Sequence, residues 1–290
     1  MTLNIEQRHE TFVGEVLDFD VAQASDQDIQ DLRTAIDDMS VLIFRGQSLS
    51  NDQQAKFAER FGPLEQSVMA TRSDAKHRLE GGNDKIVDVS NLDESGKPRE
   101  GEDRVRMLLL GNRLWHTDSS FREIPGALSM LFAHSVPGEG GETQFCDMRA
   151  AYDALPEPLR RQADELSVEH SLMASREKLG FVDFNAEEMA KLPKVRHPLV
   201  RTSPKTGRRA LYCGAHASHI TNMPIPEGRM LLSDLMEVAT KREHVYTHEW
   251  QVGDLVVWNN LTTMHRGRPY DEKIPRDLRR VTTSLVEVDA

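Results

Sequence analysis

The chain has few cysteines, no long apolar run, no excess of basic charge, no glycine-rich phosphate loop and no internal repeat. Two cysteines in 290 residues, Cys146 and Cys213, are no disulfide framework; they point to a reduced, cytoplasmic setting and to buried thiols without chemistry. No stretch approaches the ~18 apolar residues of a membrane span. The first residues, MTLNIEQRHETF, lack the basic start and apolar run of a secretory signal. Lys and Arg total 36 against 47 Asp and Glu, so the net charge is 36 − 47 = −11, which argues against nucleic acid or an anionic membrane as partner. The absence of a dinucleotide or P-loop string excludes the usual phosphate cradles.

What is present reads as one folded unit spanning 1–290, with 38% hydrophobic and 29% charged residues. Ser25 opens a helix with Ile29, Leu32, Ile36 and Met39 on one face, and the apolar strand Val41–Phe44 follows. Ser50 caps a second helix that buries Phe57 and Phe61. Further strands are expected at Ile86–Val89, Trp115–Ser119, Leu128–Val136, Thr143–Cys146, Leu199–Thr202, Leu211–Gly214, Val256–Trp258, Thr263–His265 and Val281–Val286. Helices are expected after Asp147, over Leu159–Leu166 and from Ile225 to about Lys241. Short strands that do not alternate with helices fit an antiparallel sandwich or jelly roll, mainly β with peripheral helices (α+β), its core about 86–146 and 199–290. The stretch 66–84 is polar and irregular, and 147–198 reads as a helical and loop insertion.

The string Trp115-His116-Thr117-Asp118 places an imidazole and a carboxylate two residues apart, on one face if the segment is a strand. Alone it could equally be a surface His beside an Asp. His265, 149 residues after His116, lies beyond the apolar strand carrying Trp258, Asn259 and Asn260 and is the third candidate ligand. Two His and one carboxylate leave one side of a metal open, as in non-haem Fe(II) oxygenases, whereas a structural zinc site wants four closed ligands and usually paired cysteines. Arg276, Arg279 and Arg280 follow; arginine forks suit carboxylates, although a solvated charged strand edge is the plainer reading of these three alone.

The segments Val41–Gln47 (VLIFRGQ), Phe57–Leu64 (FAERFGPL), Trp115–Phe121 (WHTDSSF), Gly140–Tyr152 (GGETQFCDMRAAY), Gly214–Ile220 (GAHASHI), Gly253–Asn260 (GDLVVWNN) and His265–Tyr270 (HRGRPY), in this order, resemble the taurine / 2,4-dichlorophenoxyacetate dioxygenase family of Fe(II)- and 2-oxoglutarate-dependent oxygenases, and its phenoxyacetate-cleaving branch above all. The resemblance implies a double-stranded β-helix, with Fe(II) on His116, Asp118 and His265, and O2 and 2-oxoglutarate as co-substrates. It implies that Arg276 and Thr143 hold 2-oxoglutarate and that Arg280 receives the anionic group of a small-molecule substrate, with Ser90, Asn91 and His216 near it. Retention of Asp118 favours hydroxylation, because halogenating relatives replace this carboxylate. It further implies a homo-oligomer, and ascorbate as an activator in assays. A sulfonate or another small acid in place of an aryloxyalkanoate, a jelly-roll binding protein without catalysis, and a metal-dependent hydrolase are the competing readings.

The remaining polar residues carry paired readings. His216 and His219 are expected to share a strand face, as a pocket pair or as packed core histidines. Trp115 and Trp258 read as core, with a pocket wall as the alternative. Ser119 and Ser120 either orient Asp118 or are ordinary strand polarity. The resemblance makes 66–84, which carries Met69, Arg72, His77 and Arg78, a lid candidate over the substrate, with a disordered surface loop as the alternative.

Overall fold

A computed structural model of the chain describes residues 3–67, 78–79 and 85–286. The strands are β1 (Ile5–His9), β2 (Val13–Val16), β3 (Val41–Phe44), β4 (Val87–Asp88), β5 (Gly126–Ser135), β6 (Thr143–Asp147), β7 (Ser167–His170), β8 (Val195–Pro198), β9 (Val200–Thr202), β10 (Arg209–Leu211), β11 (Ala217–Ile220), β12 (Val245–His248), β13 (Leu255–Asn259), β14 (Thr263–Gly267) and β15 (Asp277–Ser284). The helices are α1 (Asp26–Met39), α2 (Asn51–Glu59), α3 (Arg104–Leu109), α4 (Met148–Asp153), α5 (Glu157–Asp164), α6 (Leu172–Glu177), α7 (Ala186–Lys191) and α8 (Ile225–Ala239).

A seven-stranded sheet in the order β1-β2-β3-β13-β5-β15-β4 faces a three-stranded sheet in the order β12-β6-β14. All pairings in both are antiparallel except β2 with β3. This is the expected jelly roll. Its large sheet extends further than the 86–146 and 199–290 core, because β1, β2 and β3 are added at its edge.

The central strands of the large sheet are buried on both faces, which is why Val41–Phe44 reads as an unbroken apolar run. Strand alternation sends Val41, Ile43, Leu131, Ala133, Val256, Trp258 and Leu278 inward against Phe145 of β6. It sends Leu42, Phe44, Met130, Phe132, Leu255, Val257 and Val281 outward against Ile29, Leu32 and Ile36 of α1 and Phe57 of α2. Burying each such side chain contributes roughly 1.5–3 kcal/mol relative to exposure. Both helices start with a capping box: Ser25 with Asp28, and Ser50 with Gln53. The stretch 147–198 contains more strand than expected. β7 pairs with β8 on one side and with β11 on the other in a satellite sheet, because Val168 and His170 alternate inward from a short and otherwise polar segment. A third core cluster joins α4, α8 and this sheet to the small sheet through Cys146 and Met264.

Trp115–Ser119 is not a strand. The segment touches the small sheet through one pair of backbone bonds, His116 N–H to His265 O (3.0 Å) and His265 N–H to His116 O (2.7 Å). It then turns, with Ser119 at φ 56°. A side chain replaces the missing ladder: Asn260 Oδ1 accepts from the Asp118 N–H at 3.2 Å, and the Asn260 carbonyl accepts from the Thr117 hydroxyl. Most of the lid candidate, including Met69, Arg72 and His77, lies outside the described residues. Arg78 is described. It clamps Asp88 and Asp277 at 2.8–3.1 Å, which ties it to β4 and β15.

Candidate active site

β14 delivers His265 and the turn docked on it delivers His116 and Asp118. Ligand atoms from the three side chains lie within 4.8 Å of one another, and all three residues are buried. Each imidazole Nε2 sits 3.8 Å from an Asp118 oxygen. The His116 Nδ1–H donates to the Leu114 carbonyl at 2.7 Å, which leaves the Nε2 lone pair facing the carboxylate. His265 is wedged between Trp258 and Phe145, at centroid separations of 4.7 and 6.0 Å.

Burial pushes both imidazoles below their ordinary pKa, His265 far below, so both are neutral and able to ligate. Burial pushes the Asp118 carboxyl up, but the Arg280 guanidinium and the Ser129 hydroxyl outweigh it and hold the group ionised. The donor set fits a divalent metal: two neutral nitrogens and one carboxylate, with no fourth protein ligand among the described residues.

Asp118 is oriented by residues that sequence reasoning missed. Its Oδ2 accepts from Ser129 Oγ at 2.7 Å, Ser129 Oγ accepts from Asn260 Nδ2 at 2.9 Å, and Asn260 Oδ1 accepts from Trp258 Nε1 at 2.9 Å. The only signal was the placement of Asn260 two residues beyond the buried Trp258. Ser119 and Ser120 do not orient Asp118. Their hydroxyls are directed to Glu65 at 2.5 Å and to His170 Nδ1 at 3.0 Å, because the turn rotates both away from the carboxylate.

Two chambers meet at the triad. The first is lined by Thr143, Arg276, Tyr270, Leu131 and Trp258, with His116 and His265 at its end. Arg276 is buried and lies over the Tyr270 ring at 5.5 Å, and among the described residues its guanidinium donates only to the carbonyls of Gly141 (3.1 Å) and Val89 (3.5 Å). Burial without an acidic partner lowers its pKa to about 10, so it remains cationic and awaits an anion. Gly141 has φ 75°, and a β-carbon there would press on Arg276 at 3.2 Å. Trp250 Nε1 donates to Thr143 Oγ1 at 3.0 Å, which leaves the Thr143 hydroxyl proton for an incoming acceptor.

Asn91 and Ser90, expected near the substrate, border this first chamber. Asn91 donates both amide protons to the carbonyls of Glu272 and Ile274 and accepts from the Arg276 N–H, because it packs against the loop entering β15. Ser90 Oγ accepts from the Leu92 N–H.

The second chamber is lined by Arg280, His216, Phe121, Leu172, Arg176 and Glu65, with His116 and Asp118 at its end. Alternation on β15 turns Leu278 and Arg280 inward and Arg279 outward, where Arg279 meets Asp277 and Asn51. The Arg280 guanidinium donates to Asp118 Oδ1. His216 packs edge-on to Phe121 and His116 (5.0 and 5.9 Å). His219 does not share its face. The two are three residues apart, and a register shift between Ala217 and His219 turns His219 toward Glu169. Trp258 is fully buried and also walls the first chamber, while Trp115 lies under Arg266 at 4.6 Å. Cys146 and Cys213 are buried free thiols, the latter pushed up to about 12 by burial.

A jelly roll holding two imidazoles and a carboxylate between two cation-bearing chambers defines a metal-dependent oxygenase. Comparison with known proteins gives the particular family. Residues 4–282 match the taurine catabolism dioxygenase TauD, TfdA family, and the chain belongs to it. It is 44% identical over 277 residues to the alpha-ketoglutarate-dependent 2,4-dichlorophenoxyacetate dioxygenase of Cupriavidus pinatubonensis, covering 95% of each chain. It is 36% identical to the (S)-phenoxypropionate/alpha-ketoglutarate-dioxygenase of Delftia acidovorans, covering 95% of this chain and 92% of that one. The crystal structure of AAD-2 in complex with Mn(II) and N-oxalylglycine superposes with a TM-score of 0.95 at 44% identity, covering 99% of each chain. The protein is thus a 2-oxoglutarate-dependent dioxygenase whose cofactors are Fe(II) and 2-oxoglutarate. Among the described residues, no helix is long and apolar enough to cross a membrane.

Proposed function

We propose that this enzyme hydroxylates the carbon next to the ether oxygen of an aryloxyalkanoate such as 2,4-dichlorophenoxyacetate, giving a phenol, glyoxylate, succinate and CO2. The observation that carries the reading is the 44% identity over nearly the whole chain to a dioxygenase named for that compound. The inward guanidinium of Arg280 at the triad end of the second chamber agrees with it.

In this reading His116, Asp118 and His265 hold Fe(II). The bound metal, with 2-oxoglutarate and O2, supplies oxidation of a C–H bond coupled to decarboxylation of the keto acid. The chain supplies position. Arg276 takes the distal carboxylate of 2-oxoglutarate as a fork, and Thr143 adds its hydroxyl proton, so the keto acid cannot rotate. Asn91 holds the loop that carries Arg276, and Ser90 shapes the turn beside it. Arg280 draws the substrate carboxylate toward the metal edge, with the His216 and Phe121 rings beside the aryl group. Leu131, Trp258 and Leu109 keep water from the chambers. Once hydroxylated, the ether carbon is a hemiacetal, which collapses to phenol and glyoxylate.

The reading carries with it a cytoplasmic setting, supported by the two free thiols, and a homo-oligomer, which light scattering on the eluted protein would measure. The functional test is succinate release with Fe(II), ascorbate and O2 over a panel of phenoxyacetates, taurine and alkyl sulfates. Phenol formation matching succinate one to one is expected with phenoxyacetates. Coupled turnover with taurine or alkyl sulfates alone would overturn it.

A further inference from the structure

Three arginines among the described residues are buried: Arg149, Arg176 and Arg276. Arg149 is neutralised by Asp147 at 2.9 Å. Arg276 has no acidic partner and borders the first chamber, where a dicarboxylate binds. Arg176 also has no acidic partner among the described residues, and it borders the second chamber. It projects from α6, whose first turn is capped by Ser171. Its Nη1 donates to Ser175 Oγ at 2.8 Å, and its buried Nε has no partner.

The charge that acts on it is another cation. Burial, and after it the Arg280 guanidinium, bring the Arg176 pKa to about 10, so two positive groups share one chamber with no acid assigned to Arg176. The chain also makes room for this group. The Arg176 guanidinium lies against the backbone of Gly111, where a β-carbon would overlap it, and Gly111 has no positive φ that would demand glycine for itself. A buried, unpaired guanidinium is costly to keep unless an anion arrives.

We propose that Arg176 is a second receptor for the anionic group of the substrate, acting with Arg280. Arg280 already donates to Asp118, so it offers only part of its fork to a ligand. Arg176 offers uncommitted N–H groups and makes the chamber selective for an anion over a neutral isostere. The inference rests on the functional reading above, because it assigns a receptor to that substrate's carboxylate.

The test is calorimetric titration of the anaerobic Fe(II) and 2-oxoglutarate complex with phenoxyacetate and with phenoxyacetamide. Wild type should prefer the acid by tenfold or more. Arg176→Met should weaken acid binding by about ten- to a hundredfold, leave the amide within about twofold, and not lower the melting temperature. Gly111→Ala, which displaces the guanidinium without removing it, should shift the acid in the same direction by less. An unchanged acid-to-amide ratio in Arg176→Met with a lowered melting temperature would show a packing residue and overturn the proposal. If Arg176→Met does not fold, Gly111→Ala and Arg176→Lys decide, and an unchanged ratio in both is equally fatal. A wild type that takes hexyl sulfate and not phenoxyacetate refutes the aryloxyalkanoate reading alone, and the effect of Arg176→Met on hexyl sulfate then judges the receptor separately. Wild type binding neither overturns both.

Discussion

The two chambers that meet at His116, Asp118 and His265 are built differently. The first takes its polar groups from the sandwich and its margin, with Thr143 on β6 and Arg276 immediately before β15, eleven residues after His265, while α3 and the turn after it close one side. Its cation is held by carbonyls and an aromatic ring, and its loop is locked by Asn91. The second is assembled from β15, a turn, α6 of the 147–198 stretch and residues bordering the expected lid. Rigid strands suit a co-substrate common to a family, whereas helices and turns can be exchanged to suit different substrates.

The sharpest break in this comparison comes at the triad where the chambers meet. Asp118→Ala removes one of its three candidate ligands, and succinate formation should fall by well over a hundredfold, since loss of residues that merely orient ligands costs about 10–100-fold. Activity within tenfold of wild type would remove Asp118 from the site. Next, Arg276→Gln should raise KM for 2-oxoglutarate by about a hundredfold through loss of a charged fork, with substrate affinity much less affected. A larger effect on substrate would exchange the chambers. Asn260→Ala frees the Ser129 hydroxyl, the Trp258 N–H and the Asp118 backbone; apparent metal affinity should weaken by about 10–100-fold, measured by competition with a chelator. Thr143→Val should raise KM for 2-oxoglutarate by about fivefold, one neutral hydrogen bond's worth.

The smallest effect is on stability. Beside the second chamber, burial pushes His170 down to about 3, against an ordinary value near 6.5. The folded chain holds it neutral, so stability is fully present above pH 6.5 and is lost as pH falls toward 3, at up to about 1.4 kcal/mol per pH unit. Chemical denaturation of wild type and His170→Asn between pH 7 and 5 should show the shallower dependence in the variant. Parallel curves would place His170 outside the acid response.

Much of the large sheet was legible because its strands are strongly apolar and bounded by turns, as Val41–Phe44 and Val256–Trp258 show. The metal triad was legible through motif spacing, although the reason first attached to it was mistaken. His116 and Asp118 meet through a turn docked on β14 and pinned by Asn260, not through strand alternation. Periodicity cannot register such a tertiary hydrogen bond. For the same reason Ser129, eleven residues from Asp118, escaped notice while the adjacent Ser119 and Ser120 attracted it. Arg176 was hidden in a charged stretch that reads as surface, since composition does not show that one guanidinium lies over a glycine in the interior.

The measurement that bears most directly on the account is the binding of Mn(II) to metal-stripped protein, with free ion counted by electron paramagnetic resonance. One ion per chain is predicted for wild type, and none at the same concentrations for a folded His265→Ala protein. One ion bound as tightly after that substitution would contradict a centre made by His116, Asp118 and His265.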